Sequence, residues 1–380
     1  MAEISLKPGQ NLKPIHPINP ADNEQNPAPQ KPLIGIAIAL VLIIAIASIP
    51  ALRRPVKRFF AGRPNVTNTP MRTQSSEPTK TATPSRTLAT TPASGQILFR
   101  SGFDGNFAIN NFIVKFALSS QWQARIAGTD TSTGAVWPDD LPGNSQDAKF
   151  DYHVSSNNNL DDYIETRIEE VIGPHGTRTK ALYQEVKKDD PKIFRTVTRN
   201  MFTIAPEAGK DFEEGYSKYW IKFQPNFKDL YADQLHAWRN VMEWRETDNQ
   251  YRIVVSIEKR NERYHWRVAG ESDYQFRPGM EKYGSWYVDW SEDNFSAPIP
   301  ITVEWFLLET SFKRHPSNGT LSVSVNGQSV VSHTGRTMFD GPLASWHVFK
   351  AYTKEEAFKK GPVYQWIDDV YICTGSGCGF

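Results

Sequence analysis

The 380-residue sequence predicts an all-β fold, two stacked antiparallel sheets, preceded by one transmembrane helix and a disordered linker. Three observations carry that prediction. From residue 95 onward, Val, Ile, Tyr, Trp and Thr gather in short runs broken by turn residues, and helical periodicity is scarce. All 11 Trp lie at or after Trp122, so the aromatic core belongs to the C-terminal part of the chain. The run "LIGIAIALVLIIAIASIPAL", residues 33–52, is 20 residues without a charge.

Residues 1–32 hold seven Pro and no periodic apolar pattern, which predicts disorder. At a rise of about 1.5 Å per residue, the run at 33–52 just spans a hydrocarbon core about 30 Å thick, so it is expected to cross the lipid bilayer once. A cleaved signal peptide fits less well, because Pro50 and Arg53 leave no clean cleavage site. Residues 53–94 carry nine Thr, six Pro and eight basic groups against Glu77 alone; such a segment cannot bury enough apolar surface to fold and reads as a tether.

Orientation is contested within the sequence. Arg53, Arg54, Lys57, Arg58 and Arg63 outweigh Lys7, Lys13 and Lys31 across the run, and the positive-inside rule then favours a cytoplasmic C-terminal domain. The stalk composition argues the other way. So do Cys373 and Cys378, the chain's two cysteines, spaced to close a small loop in an oxidising compartment. An extracytoplasmic domain is the expectation. Of the formal net charge of +1, residues 1–52 contribute nothing and the linker +7, which leaves −6 for residues 95–380. A net acidic domain is a poor general polyanion binder, and no nucleic-acid footprint is visible.

The stretch from Ile301 to Gly335 predicts a three-stranded meander. Ile301, Val303, Trp305 and Leu307 alternate with polar residues, as do Leu321, Val323 and Val325, and Asn326-Gly327 suits a two-residue hairpin turn. Val303 and Trp305 are expected on the buried face, and the opposite face is expected to continue the sheet that carries Arg245 and Arg252. Further strands are predicted at "ILFRSGF", "YIETRIEEVI", "ALYQEV", "FRTVTRNMF", "YSKYWIKFQ", "NVMEWRE", "YRIVVSIEK", "RYHWRVAG", "WHVFKAY" and "QWIDDVYI", with one short helix in "TKEEAFKK" at 353–360. No internal repeat is evident, which disfavours a propeller or solenoid.

The order of "TKALYQEVKKDD", "FRTVTRN", "EEGYSKYWIKFQPNF", "NVMEWRE", the meander and "QWIDDVYI" resembles the heparin-lyase-type polysaccharide lyases, and more broadly the laminin-G and concanavalin-A jelly rolls. The resemblance covers about residues 97–372 and rests on fold signatures. It implies a jelly-roll sandwich whose concave sheet holds a polysaccharide. Where that family shows Gln-Trp-His, this chain has Glu243-Trp244-Arg245. Where it often shows Arg-x-Glu, this chain has Arg195-Thr196-Val197, with Arg199 four residues on. Tyr352 matches the family's late tyrosine across a two-residue gap.

Such lyases cleave uronic-acid glycans by β-elimination. The chemistry requires a cation on the sugar carboxylate, a base at C5 and an acid at the leaving oxygen. Period-two alternation sorts the candidates. Val241, Glu243 and Arg245 should share a face, with Met242 and Trp244 opposite. Ile253, Val255 and Ile257 should face the core, leaving Arg252, Ser256 and Glu258 outward. Lys350 and Tyr352 should share a side, with His347 on the other. The catalytic candidates are therefore Arg245, Tyr352, His347 and Arg195. Glu243, Arg252 and Lys350 are candidates for substrate binding, although a cross-strand Glu243–Arg252 pair would make the same face merely solvated.

Trp122, Trp137, Trp238, Trp286 and Trp290 fall in or near expected loops, where indoles can stack on sugar rings; Trp220, Trp266 and Trp305 read as core. The loop expected at 282–295 mixes Trp286 and Trp290 with Asp289, Glu292 and Asp293. His236 and His265 are further candidates for the base. Asp104 and Asp369, near the first and last strands, could hold a structural calcium ion, as jelly rolls of this type often do. No Gly-x-Ser-x-Gly elbow occurs, so no Ser-His-Asp triad can be argued. The reading is a membrane-tethered jelly roll that engages an acidic polysaccharide or other glycan, with lyase activity; a glycan-binding module or a structural surface domain is the alternative.

Overall fold

The computed structural model describes residues 95–375 and Cys378, except 116–119, 138–147, 194–196, 207–210, 247–249, 274, 284–285, 300–303 and 342. The chain divides into two units, Met1–Ser85 and Arg86–Phe380, and every described residue lies in the second. The apolar run at 33–52 and nearly all of the linker lie outside the described residues. Among the described residues, no helix is long and apolar enough to cross a membrane.

The strands follow one another with little helix between them. β1 (Gln96–Ser101), β2 (Gly105–Lys115), β3 (Ser120–Asp130), β4 (Val136–Trp137) and β5 (Ala148–Ser155) come first. Next are β6 (Ile164–Ile172), β7 (Arg178–Val186), β8 (Asn200–Ile204) and β9 (Glu214–Phe223), then the single helical turn α1 (Phe227–Leu230). β10 (His236–Glu246), β11 (Arg252–Arg260), β12 (Arg263–Ser272), β13 (Glu281–Tyr283) and β14 (Trp286–Asn294) form an antiparallel run. β15 (Phe306–Lys313), β16 (Gly319–Val325), β17 (Gln328–Gly335), β18 (Leu343–Thr353) and β19 (Val363–Thr374) complete the fold, with a 3₁₀ turn at Glu355–Lys359 where a short helix was expected.

Among the described residues these strands make two antiparallel sheets. The smaller has eight strands in the order β17-β16-β15-β9-β19-β7-β6, with β1 on β19. The larger has eleven, β13-β14-β12-β11-β10-β18-β8-β5-β3-β2, with β4 on β3. Their facing sides bury Trp244, Ile253, Val255, Ile257, Leu308, Val323 and Trp346 in one core. Trp346 lies between Trp244, 6.1 Å away, and Phe312, 5.1 Å away. A polar row also crosses this core. Arg239, 1 % exposed, donates to Gln365 Oε1 at 2.8 Å; Gln365 donates to Gln184 at 3.0 Å, and Gln184 to Asn200 at 3.1 Å.

Several expectations are corrected. The meander lies in the smaller sheet, so its outer face does not continue that of Arg245 and Arg252. Its first strand also has the opposite parity: Phe306, Leu308, Thr310 and Phe312 point inward, while Trp305 and Leu307 point out. The reason lies downstream, since burying Trp305 and Leu307 would bury Glu309 too, and an unpaired carboxylate in the core is costly. Val303 lies outside the described residues. The Asn326-Gly327 turn is present, with φ of 50° and 75°.

Two bulges change which residues share a face. β10 gains a residue between Asn240 and Met242, and Val241 joins Met242 in the core instead of siding with Glu243. β18 gains one between His347 and Phe349, so His347 stands on the same face as Lys350 and Tyr352. An inserted residue reverses the alternation beyond it. Of the three Trp expected in the core, Trp266 is fully buried, whereas Trp220 and Trp305 are half-buried on the outer side of the smaller sheet. Trp122, Trp137, Trp238, Trp286 and Trp290 lie in strands, and the loop expected at 282–295 is mostly the strands β13 and β14.

Candidate functional site

The face of the larger sheet turned away from the core is polar and indented. On β11 the core takes Ile253, Val255 and Ile257, which leaves Arg252, Ser256 and Glu258 on the outer side as expected. Across β10, β11, β12, β14 and β18 these outward residues line a groove of about 500 Å³. Trp238, Arg252, Trp286 and Tyr352 all line it. Trp238 meets the Tyr352 ring edge-on at 4.7 Å, which fixes both rings at the groove floor.

A second hollow of about 270 Å³ lies on the same sheet face, over β3, β5, β8, β10 and β18. Its lining includes His153, Arg199, Arg245, Ser345 and His347. Between the two, Lys350 is ion-paired with Glu243, and Glu243 also holds Arg245 at 3.2 Å. The Lys350 ammonium stands 4.7 Å above the Tyr352 ring, and the Arg199 guanidinium 5.2 Å from it. The expected Glu243–Arg252 pair does not form; Arg252 binds Glu271 at 2.9 Å and Asp273 at 3.0 Å.

Burial and charge set the protonation of this hollow. Burial first, then Arg199, Arg245 and Lys350, pushes His153 down to about 2. Burial, then Arg245, Arg199 and His153, holds His347 well below the usual imidazole value. Both rings are therefore neutral bases at physiological pH. Burial also lowers Arg199 to about 10, which leaves it a cation. Burial and Arg199 push the Lys350 amine down, and the Glu243 carboxylate counters them.

His347 is held from both sides. Its Nδ1 lies 2.9 Å from Thr203 Oγ1 and its Nε2 3.2 Å from Ser345 Oγ. Thr203 and Asp151 line the same hollow, and Asp151 Oδ1 accepts from Gln123 Nε2 at 2.7 Å. The absence of a Gly-x-Ser-x-Gly elbow did not exclude a serine–histidine pair: the structure assembles one from two positions of one strand.

The structure thus gathers Glu243, Arg245, His347, Lys350 and Tyr352, with Trp238, Arg252 and Trp286, on one sheet face. It places Trp290 elsewhere, at the margin of the core, stacked on His333 at 3.6 Å with Nε1 donating to Tyr251 Oη at 2.8 Å. Its neighbour across the strands is Gly270, whose missing side chain leaves room for the indole. Arg195 lies outside the described residues. His236 lines the groove, while His265 is buried beneath Phe295 at 4.3 Å. Cys373 and Cys378 are bonded to each other.

Asp104 and Asp369 make other contacts. Asp369 reaches His175 Nε2 at 2.8 Å, and Asp104 accepts from Thr179 Oγ1 at 3.3 Å. Among the described residues no group of three or more His, Cys, Asp or Glu is arranged to hold a metal ion. The residues missed by sequence reasoning are Thr203, Ser345 and, on β5, Lys149, Asp151 and His153. The signal was available in "AKFDYHVS", where Phe150, Tyr152 and Val154 alternate with them and fill the core.

No protein-family profile matches the chain, and no curated protein matches it. Among solved structures it is similar to the CBM2 module of Lactobacillus casei BL23 phage J-1 evolved Dit, at 9% identity over 76% of this chain and 100% of that one, TM-score 0.36. It is similar to an endo-1,3-β-glucanase from Streptomyces sioyaensis, at 13% identity over 76% and 100%, TM-score 0.33. A botulinum neurotoxin serotype D/C binding domain aligns at 11% identity over 59% of this chain and 45% of that one, TM-score 0.31, so this chain spans less than half of its length. None of the three reaches a TM-score of 0.5, and the reading below rests on the groove.

Proposed function

We propose that the outer face of the larger sheet binds an acidic polysaccharide. The observation that carries this is the pairing of two unlike surfaces on one sheet face: a groove with Trp238, Trp286 and Tyr352, and a hollow with Arg199 and Arg245. Indoles and a phenol offer flat apolar surfaces to sugar C–H faces, and guanidiniums suit carboxylates or sulfates. The lowered but still cationic Arg199 gives the anion a partner inside a low-dielectric pocket, where the interaction is strong. The same proposal puts the domain outside the cytoplasm, tethered through residues 33–52. Calorimetric titration of the full chain with uronic-acid polymers and with neutral glucans tests it. Equal affinity for both, or none for either, refutes it.

A second reading, β-elimination, is favoured by the neutral His347 imidazole on the same face as Tyr352. His347 would take the C5 proton, the electron pair would form the C4–C5 double bond, and the C4–O bond would break. The Tyr352 phenol would protonate the departing oxygen, while Arg245 and Arg199 stabilise the charge developing on the carboxylate. Ultraviolet absorbance of the unsaturated product during incubation with uronic-acid polymers decides it. Binding without product leaves the module.

A further inference from the structure

The hydrogen-bond row behind His347 has a direction. Burial raises the Asp151 carboxyl and the neighbouring Thr203 hydroxyl draws it down again, so an ionised Asp151 turns the Thr203 proton toward itself. Thr203 Oγ1 then accepts from the Nδ1–H of His347. That tautomer leaves the Nε2 lone pair facing Ser345 Oγ at 3.2 Å, and the serine hydroxyl becomes its donor. Four side chains from three strands thus point one proton acceptor at one hydroxyl. β18 supplies Ser345 and His347, β8 supplies Thr203 and β5 supplies Asp151.

We propose that this hollow is an esterase site, with Ser345 as the nucleophile and His347 as its base, acting on short acyl esters of sugar hydroxyls. Thr203 and Asp151 are positioning residues, acting through the imidazole. Ser345 Oγ attacks the ester carbonyl while its proton passes to His347 Nε2. The tetrahedral oxyanion forms beside the Arg245 and Arg199 guanidiniums that line the hollow. Its collapse breaks the ester C–O bond, and His347 returns the proton to the departing sugar oxygen. Water then attacks the acyl-serine with His347 again as base, which releases the carboxylic acid and restores Ser345. At about 270 Å³ the hollow has room for a short acyl group. The neighbouring groove would hold the rest of the sugar chain, but the ester chemistry stands without any elimination.

The charges facing His347 give the activity a signature. Arg245 from β10, Arg199 ahead of β8, and His153, Asp151 and Lys149 from β5 line the same hollow. Because burial and the two guanidiniums hold His347 far below its ordinary value, hydrolysis should keep its rate as the pH falls well below neutrality.

The full chain incubated with p-nitrophenyl acetate should release p-nitrophenol at least about 100-fold faster than its Ser345→Ala variant. A fluorophosphonate probe should label Ser345, read by peptide mass. Thr203→Val should lower kcat with KM unchanged, and should bring no acid limb at the ordinary imidazole value. Both the rate difference and the label are required. Equal rates in wild type and Ser345→Ala, or a probe found elsewhere or nowhere, overturns the proposal. If Ser345→Ala fails to fold, the label on wild type and the kcat loss in Thr203→Val decide it in the same sense.

Discussion

Arg245 and Arg252 lie directly opposite each other on neighbouring strands, two like charges in cross-strand register. Such a pair is destabilising unless each cation is neutralised. Here Glu243 holds Arg245, and Glu271 with Asp273 holds Arg252. Arg252 is thus twice-countered, whereas Glu243 is shared with Lys350. Positive potential therefore concentrates on the Arg245 side, toward Arg199.

The first prediction follows from that asymmetry. Arg245→Ala should weaken binding of a uronic-acid polymer by about 1.5–3 kcal/mol, the scale of a hydrogen bond to a charged group. Glu243 keeps Lys350, so the cooperative thermal transition should persist. Titration calorimetry beside a melting curve reads both. Unchanged affinity in a folded variant would remove Arg245 from the site.

Tyr352→Phe keeps the ring against Trp238 and removes only the hydroxyl. Binding should survive, and any unsaturated product should vanish. A variant that still eliminates at the wild-type rate would exclude Tyr352 as the acid.

Trp346→Ala tests the core. The indole is fully buried among Trp244 and Phe312, and its removal should cost about 3–5 kcal/mol. Trp238→Ala, which removes a half-buried ring lining the groove, should cost less stability but should reduce glycan affinity. Denaturant unfolding compares the two, and a larger loss of stability at Trp238 would contradict the layering.

Stability should depend on pH from both sides. His153 has its folded value near 2 against 6.5 unfolded, so the unfolded chain gains a proton that the folded chain refuses, and stability falls as pH drops below 6.5. Asp368 has the opposite sign. Burial, then Asp369, raises it to about 8 from 3.8, so its contribution is complete below 3.8 and is lost as pH rises through about 8. Asp368→Asn should flatten the alkaline side of a melting-temperature profile, and His153→Gln the acid side. Profiles parallel to wild type would refute both assignments.

The sequence made the two-sheet architecture legible because strands such as "YRIVVSIEK" alternate cleanly and one face must be buried. Arg252, Ser256 and Glu258 were placed correctly on that ground. His347 and Val241 were not, because a bulge leaves no mark in hydrophobic alternation: "MEW" and "WHVFK" read as regular until the neighbouring strand is known. Trp305 was misassigned for a related reason, since four alternating residues outvoted Phe306 and Phe312. The Ser345–His347 pair could not be read at all. Its meaning depends on Thr203 and Asp151, which come from strands more than 140 residues upstream.

The row from Arg239 through Gln365 and Gln184 to Asn200 bears on how uniquely the chain folds. Methyl and ring contacts between two sheets tolerate sliding, since one apolar neighbour substitutes for another at little cost. Amide and guanidinium groups do not, because each misaligned partner leaves a buried donor or acceptor unmet. Four such residues in series accept one lateral alignment of the sheets and penalise every other. Replacing all four with well-fitting apolar side chains could therefore raise the melting temperature while admitting several alignments of the smaller sheet beneath the larger one. The row gives up some stability and, in return, selects a single stacking of the two sheets.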